Sequence, residues 1–261
     1  MNPNTPTRTA RAHGWIVGAP RRTTPSVRLF CLPHAGGSSS AYAGWPALFG
    51  PEVEVCPIEL PGRHTRWHEP AVTDVDTLVN ALATALAGEL DVPYALFGHS
   101  MGSLLAFELA RTLRRRGYGE PRVLFASGGP APHLRREQPL HDKPDPELIE
   151  RLAAYGGLPD ELLAEPELLE LLLPIIRADF QLCETYRHRA EAPLACPIVA
   201  YAGEQDAEVP LARVRPWQEH TSGPFTQHVL PGGHFFVRSD QDTVLASVRA
   251  ALADAGAPTA A

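Results

Sequence analysis

Short apolar runs alternate with helical patterns along most of the chain. The runs are rich in β-branched, aromatic and leucine residues and are bounded by Gly, Pro or polar clusters, which is typical of strands. The predicted strands are VRLFCL (27–32), EVEVCPIEL (52–60), YALFG (94–98), RVLFAS (122–127), PIVAYAG (197–203) and FTQHVL (225–230).

Helical spacing connects these predicted strands. Between the second and the third, apolar residues recur at helical spacing over 75–86, behind a capping box formed by Thr73 and Asp76. After the third, SLLAFELARTLRRRG (103–117) carries arginines in its last turn, where the helix dipole favours cations, and ends at Gly117, which suits a left-handed C-cap. Because parallel neighbours require long crossover connections, this alternation predicts an α/β fold with a mostly parallel central sheet and helices on both faces.

One long segment interrupts the alternation. From Gly128 to Cys196 the sequence is leucine-dense, is cut by prolines and lacks a strand pattern. Asp145 followed by Pro146 and Glu147 predicts an N-cap and the first turn of a helix. Such a helical insertion between two core strands is either a small subdomain that completes the core or a lid over a pocket for an apolar substrate.

These patterns predict one domain at residues 25–254 with a helical lid insertion at about 128–196. Residues 1–24 and 255–261 lack apolar periodicity, so we expect a loosely ordered N-terminal extension and tail. A monomer is the simplest interpretation of one complete domain.

Composition restricts the classes of function. A chain of 261 residues with 44% hydrophobic residues can bury the core of one catalytic domain. A net charge of -7, with basic residues interspersed among acids, provides no broad basic face and argues against a nucleic-acid partner. No window is apolar enough to span a bilayer, so no membrane association is expected.

The cysteines point to no metal or redox chemistry. Cys31, Cys56, Cys183 and Cys196 show neither zinc nor redox spacing, and three of them lie in strand-like runs where cysteine behaves as a small buried hydrophobe. No metal cluster or nucleotide-binding loop occurs, so we expect no cofactor and no metal. The N-terminus lacks the apolar region of a signal peptide, which leads us to expect a reduced, cytoplasmic protein.

The third strand runs into a motif for nucleophilic catalysis. Gly98-His99-Ser100-Met101-Gly102 matches G-x-S-x-G, the nucleophile elbow, in which a strained strand-to-helix turn exposes the serine oxygen above the sheet edge. A side chain at either glycine would collide with the neighbouring strand or helix. The alternative is a serine that merely caps the following helix.

A serine hydroxyl needs a base to take its proton, and that base needs an acid to hold its tautomer. On α/β-hydrolase sheets these groups follow in the order Ser, acid, His. Asp206 lies in the loop after the fifth predicted strand, with Glu204 and Glu208 as alternatives, and His234 follows the last strand in PGGH. The alternative for His234 is a solvated loop histidine.

The developing oxyanion needs two donors. One is expected to be the backbone N–H of Met101, and the other that of Ala35 in the loop PHAGG (33–37) after the first strand. This loop could also be only a flexible turn, and His34 could be a structural hydrogen-bond donor that holds it.

These motifs closely resemble those of the type II thioesterases that accompany polyketide synthases and nonribosomal peptide synthetases. The matching segments extend from Phe30 to Phe236 and comprise FCLPHAGGSSSAY (30–42), IELPGRHTRWHEP (58–70), FGHSMGSLLAFELAR (97–111), AGEQD (202–206) and GGHFF (232–236).

The resemblance implies an α/β-hydrolase fold and hydrolysis of aberrant or stalled acyl groups from the phosphopantetheine arm of acyl or peptidyl carrier proteins. The family's triad positions match Ser100, Asp206 and His234, and its oxyanion positions match Ala35 and Met101. The family also carries a helical lid where residues 128–196 fall. We therefore expect a thioester hydrolase that acts through an acyl-enzyme.

Alternatives to this function remain open at the level of sequence. The same triad serves an oxyester hydrolase or an acyltransferase, and the same fold serves a binding module without turnover. Because the resemblance implies acidic carrier domains, Arg63, Arg66, Arg135 and Arg136 are candidate docking residues, with ordinary solvated surface charge as the alternative.

Overall fold

A parallel sheet forms the centre of the molecule. The computed structural model describes residues 14–18, 25–134, 139–158 and 163–256. Within that part of the chain the sheet has six strands in the order β2-β1-β3-β4-β5-β6, and each recorded pairing is parallel. The strands are β1 (Val27–Leu32), β2 (Val53–Pro57), β3 (Tyr94–His99), β4 (Leu124–Ser127), β5 (Ile198–Gly203) and β6 (Phe225–Leu230). All six predicted strands are confirmed.

Helices cover both faces of this sheet. Alternate residues of β1 point to opposite apolar layers, with Phe30 and Leu32 on one side and Leu29 and Cys31 on the other. The described helices are α1 (Val75–Leu86), α2 (Met101–Arg115), α3 (Asp145–Ala154), α4 (Pro166–Thr185), α5 (Leu211–Val214), α6 (Phe236–Ser239) and α7 (Gln241–Asp254). The α1 and α2 helices pack in the first layer and α6 and α7 in the second.

Two predicted helix starts are displaced by one residue. Asp74, rather than Thr73, caps α1, because its carboxylate accepts from the Thr77 amide at 2.8 Å and from the Thr77 hydroxyl at 2.7 Å. Asp145 is the first residue of α3 rather than its cap. Its negatively charged carboxylate lies in the first turn, where it interacts favourably with the positive end of the helix dipole. The predicted left-handed conformation of Gly117 after α2 is confirmed by its φ of 80°.

The predicted insertion between β4 and β5 is helical. Its helices α3 and α4 share an apolar cluster of their own, in which Leu148 and Leu152 meet Leu173 and Phe180. Ala35, from the loop after β1, packs against the same cluster. The described part of the insertion therefore lies as a helical cap beside the loop after β1, and we refer to the described residues within 128–196 as the lid.

Part of the N-terminal extension is ordered, contrary to the expectation of loose order for residues 1–24. Ile16 forms an antiparallel bridge with Ile58, and the Arg66 guanidinium lies 3.8 Å from the centre of the Trp15 ring. Residues 14–18 therefore belong to the packed domain, whereas 1–13 and 19–24 lie outside the described residues. Of the tail, Ala255 and Gly256 are described: Ala255 is the C-cap of α7, and Gly256 follows it in a turn.

None of the helices in the described ranges combines the length and apolar character needed to cross a bilayer.

Candidate active site

The serine of the G-x-S-x-G motif occupies a strained corner. Ser100 lies between the end of β3 and the start of α2 with a φ of 55°, a conformation that non-glycine residues rarely adopt. A Cβ at Gly98 would lie 1.9 Å from the Gly102 carbonyl oxygen, and one at Gly102 would lie 2.2 Å from the Leu32 carbonyl oxygen. Both glycines are therefore required for β3, α2 and β1 to approach closely enough to form the turn.

The structure brings Ser100, His234 and Asp206 together in series. The Ser100 Oγ lies 3.0 Å from His234 Nε2, and His234 Nδ1 lies 2.8 Å from Asp206 Oδ2. His234 and Asp206 are both buried. With Nδ1–H donating to the carboxylate, Nε2 carries the lone pair that accepts the serine proton.

Asp206 is fixed by its own loop. Its Oδ1 accepts hydrogen bonds from the backbone amides of Glu208 at 2.9 Å and Val209 at 3.0 Å, which leaves Oδ2 for His234. The Glu204 carboxylate is exposed and accepts from Gln205, and that of Glu208 pairs with Arg151 at 3.3 Å. Of the three acids left open by the sequence, Asp206 is thus the one in contact with the histidine.

The loop after β1 and the first turn of α2 face the same space as Ser100. Ala35 and Met101 both line the cavity that contains Ser100 and His234. The Met101 amide is the first of α2 and has no carbonyl partner within its own helix. The Ala35 amide donates no hydrogen bond to any group in the described part of the chain. Both amides are thus free to bind an oxyanion.

Two further histidines stand behind the site. His99 packs against the His234 ring at 5.3 Å between centroids, and its Nδ1 lies 2.9 Å from the Ser127 hydroxyl. His34 Nε2 accepts a hydrogen bond from Arg238 at 3.2 Å. Burial first, and then the nearby positive charge of Arg238, lowers the pKa of His34 to about 3. Burial also lowers the pKa of His99 well below its usual range, so both rings are neutral at pH 7.

A cavity of about 720 Å³ extends from Ser100 under the lid. Its wall combines the polar groups of the serine corner with apolar side chains that the lid supplies. They include Leu152, Leu158, Leu172, Ile176 and Phe180. The described part of the insertion therefore forms one side of the cavity.

Two of the suggested docking arginines are buried, which corrects that expectation. Arg63 is 5% exposed and paired with Asp179, and Arg66 is 8% exposed and paired with Glu69. A guanidinium enclosed in this way has no free surface for a partner protein. Arg135 and Arg136 lie outside the described residues.

Sequence reasoning missed the partners of the loop after β1. Asp179 of α4 accepts a hydrogen bond from the Gly36 amide, and Arg63 donates one to the Gly37 carbonyl. No local motif marks Asp179, since it lies in a leucine-rich helix far along the chain from this loop.

Among the described residues, no group of three or more His, Cys, Asp or Glu side chains is arranged to hold a metal ion.

A serine, an imidazole and a carboxylate joined in series at the carboxyl ends of parallel strands define a serine hydrolase of the α/β-hydrolase fold. The family model described as "Thioesterase domain" matches residues 27–252. The chain therefore belongs to the thioesterase family and is a thioester hydrolase.

Relatives and solved structures are similar to this chain over most of their length. The chain is 40% identical to "Linear gramicidin dehydrogenase LgrE" of Brevibacillus parabrevis, over 91% of this chain and 92% of the relative. It is 38% identical to "Thioesterase PikA5" of Streptomyces venezuelae, over 85% of this chain and 80% of the relative. The solved RedJ thioesterase from the prodiginine pathway of Streptomyces coelicolor is 40% identical, with a TM-score of 0.83 over 89% of this chain and 94% of that chain.

The name of the Brevibacillus relative denotes a dehydrogenase, but this sequence contains no G-x-G-x-x-G dinucleotide fingerprint. The site of this chain instead holds a serine, a histidine and an aspartate in contact, which are groups that serve acyl transfer.

Proposed function

We propose that this chain is an editing type II thioesterase that removes aberrant or stalled acyl groups from the phosphopantetheine arm of acyl or peptidyl carrier proteins. The observation that carries the proposal is the contact series from Ser100 through His234 to Asp206, of which Ser100 and His234 line a cavity with an apolar lid wall. Similarity to thioesterases of biosynthetic pathways supports the carrier-bound substrate.

The reaction follows from the roles of these groups. His234 Nε2 takes the Ser100 proton as Oγ attacks the thioester carbonyl, and the Met101 and Ala35 amides bind the oxyanion. Collapse of the tetrahedral intermediate breaks the C–S bond, and the thiol leaves with the proton from His234. His234 then activates water to hydrolyse the acyl-serine, which releases the free acid, while Asp206 holds the ring throughout.

We propose that the lid limits the substrate to an acyl chain of modest size. A cavity of about 720 Å³ with an apolar wall has room for short to medium apolar acyl groups, which the hydrophobic effect would hold beside the Ser100 that lines it. The four cysteines are free thiols, which suits a reducing compartment, so we place the reaction in the cytoplasm. We propose a monomer that meets the carrier protein transiently.

The first experiment is single-turnover release of acetyl and propionyl groups from a phosphopantetheinylated carrier protein, alongside p-nitrophenyl oxyesters. Wild-type protein should release acyl groups from the carrier preferentially, and Ser100→Ala, which removes only the nucleophilic oxygen, should eliminate turnover while keeping the fold. Substantial turnover by correctly folded Ser100→Ala would refute the nucleophile. Activity on oxyesters alone would keep the triad and reject the carrier substrate.

A further inference from the structure

The loop that carries Ala35 is held from the lid side by a buried ion pair. Asp179, in the lid helix α4, accepts a hydrogen bond from the Gly36 amide at its Oδ2, at 2.8 Å. Arg63 donates from Nη1 to the Gly37 carbonyl at 3.0 Å. The two side chains also bind each other, since Arg63 donates to both carboxylate oxygens of Asp179, at 2.8 and 2.7 Å.

This ion pair lies in the interior of the protein. Arg63 is 5% and Asp179 2% exposed. Burial by itself lowers the pKa of Arg63, but the Asp179 carboxylate, its bidentate bonds and the charge of Glu59 outweigh it, so that this pKa is raised and the guanidinium stays charged. Buried ion pairs are often no more stabilising than apolar side chains of similar volume. A role in placing the loop accounts for the pair better than a role in stability.

Packing reinforces these bonds. Gly36 has a φ of 73°, and a Cβ there would lie 2.8 Å from Cγ1 of Ile176. Ile176 precedes Asp179 by one helical turn and therefore shares its face of α4. The loop backbone is thus pressed against the lid helix at the residue whose amide the helix binds.

We infer that Asp179 and Arg63 are positioning residues that set the Ala35 oxyanion donor and make catalysis depend on the seating of α4. Asp179 fixes the peptide plane between Ala35 and Gly36, and Arg63 fixes the one after Gly37. The Ala35 N–H itself lies in the peptide plane between His34 and Ala35, whose His34 carbonyl accepts from the Gly37 amide at 2.9 Å. The peptide that carries the Ala35 N–H is thus bonded to the same short loop that Asp179 and Arg63 hold, beside the cavity that Ser100 lines. When α4 leaves this position, the loop loses both restraints and the oxyanion hole loses a defined donor.

This inference rests on the proposed role of Ala35 in acyl transfer, but its test does not require a carrier protein. Turnover of p-nitrophenyl propionate reports kcat and KM. The inhibition constant of propylboronic acid reports the oxyanion hole, because its tetrahedral adduct with a serine places an oxygen there. The variants are Asp179→Ala and the double variant Arg63→Met with Asp179→Leu. The matched control is Arg177→Met, which removes a charged group from the same helix. The Arg177 guanidinium donates to the Lys143 carbonyl and to the Asp145 carboxylate, which both belong to the lid.

We expect Asp179→Ala to lower kcat by about 10- to 100-fold, below the 10²- to 10³-fold typical of losing a donor outright, with KM changed by less than about 2-fold. The boronate inhibition constant should rise by a similar factor. The double variant should unfold at or above the temperature of Asp179→Ala, since no unpaired charge is buried, and yet remain slow. Arg177→Met should keep the wild-type kcat.

Wild-type kcat in the folded double variant would show that the pair serves stability alone and would overturn the inference. An equal loss in Arg177→Met would do the same, because it would assign the effect to the lid in general. If carrier thioesters prove not to be substrates while these effects on the small ester hold, the proposed function fails and the positioning role stands.

Discussion

Asp206 owes its place beside His234 to the loop in which it lies. Two backbone amides hold Oδ1, so the carboxylate can present only Oδ2 to the imidazole. This arrangement fixes both the direction of the ring and the tautomer in which Nε2 is free to take a proton.

Asp206→Asn keeps this geometry but offers the histidine a neutral amide. We expect kcat to fall by about 10³- to 10⁴-fold, because the ring is then held in the wrong tautomer and its positive charge in the transition state is not stabilised. Steady-state hydrolysis of p-nitrophenyl propionate measures the effect. Glu204→Gln, an exposed change in the same loop, is the control and should retain wild-type kcat. The assignment fails if the two variants show equal losses.

The three residues that lie in series at the site could be predicted because each is next to a strong local signal. Ser100 is enclosed by two glycines that no other residue can replace, and Asp206 and His234 each follow a short apolar run. The sequence could not decide which of the three nearby acids contacts His234. The structure decides it, because the Asp206 carboxylate lies beside His234 whereas Glu208 pairs with Arg151. Asp179 could not be predicted, since its partner, the Gly36 amide, is brought to it only by the packing of the lid.

Element boundaries depend on contacts of the same kind. The β1 strand begins and ends where its apolar run does, because all its residues are buried and both neighbours are strands. The start of α1 was displaced because Asp74 and Thr73 can both cap a helix, and the Asp74 carboxylate reaches the Thr77 amide. Local sequence limits the choice of cap, and the path of the incoming chain decides it.

The elbow of β3 and α2 leads to a prediction at the scale of elements. Gly102→Ala should lower the free energy of unfolding by about 3 kcal/mol or more, because the new methyl group would meet backbone atoms of β1, which are not free to move aside. Urea unfolding followed by circular dichroism measures this change.

Gly88→Ala provides the comparison, since a Cβ there meets nothing within 4 Å. It should be neutral within about 0.5 kcal/mol or slightly stabilising, through the lower entropy of the unfolded chain. Equal effects of the two substitutions would contradict the close approach of α2 to β1.

At the scale of the whole molecule, buried histidines couple stability to pH. Burial, followed by the charges of neighbouring His188 and His133, lowers the pKa of His220 to about 4, and that of His34 is lowered to about 3. In the unfolded chain both titrate near 6.5. The unfolded state therefore binds more protons below this pH, and the folded state loses stability as pH falls from about 6.5 towards 4.

Each such histidine contributes up to about 1.4 kcal/mol per pH unit in this range. Replacing His220 by Gln should therefore make the loss of unfolding free energy between pH 7.5 and 5.5 smaller by about 1 kcal/mol, as measured by urea denaturation at both pH values. His68→Gln, at an exposed position, should leave the loss unchanged. If the variant keeps the wild-type pH dependence, His220 has the same pKa in the folded and unfolded states, and the prediction is wrong.

The parallel pairing of the described strands also has a consequence for how the chain reaches its native state. Each pairing joins strands separated by a crossover, and β1 lies between β2 and β3 only after residues as distant as Arg28 and Tyr94 have met. Folding is slow because the chain loses the entropy of closing such long loops before the stabilising contacts between the strands have formed. During that interval the apolar strands have open edges, and partly folded chains can pair with one another. The yield of active enzyme on refolding should thus fall steeply with protein concentration, although the native state itself is well packed.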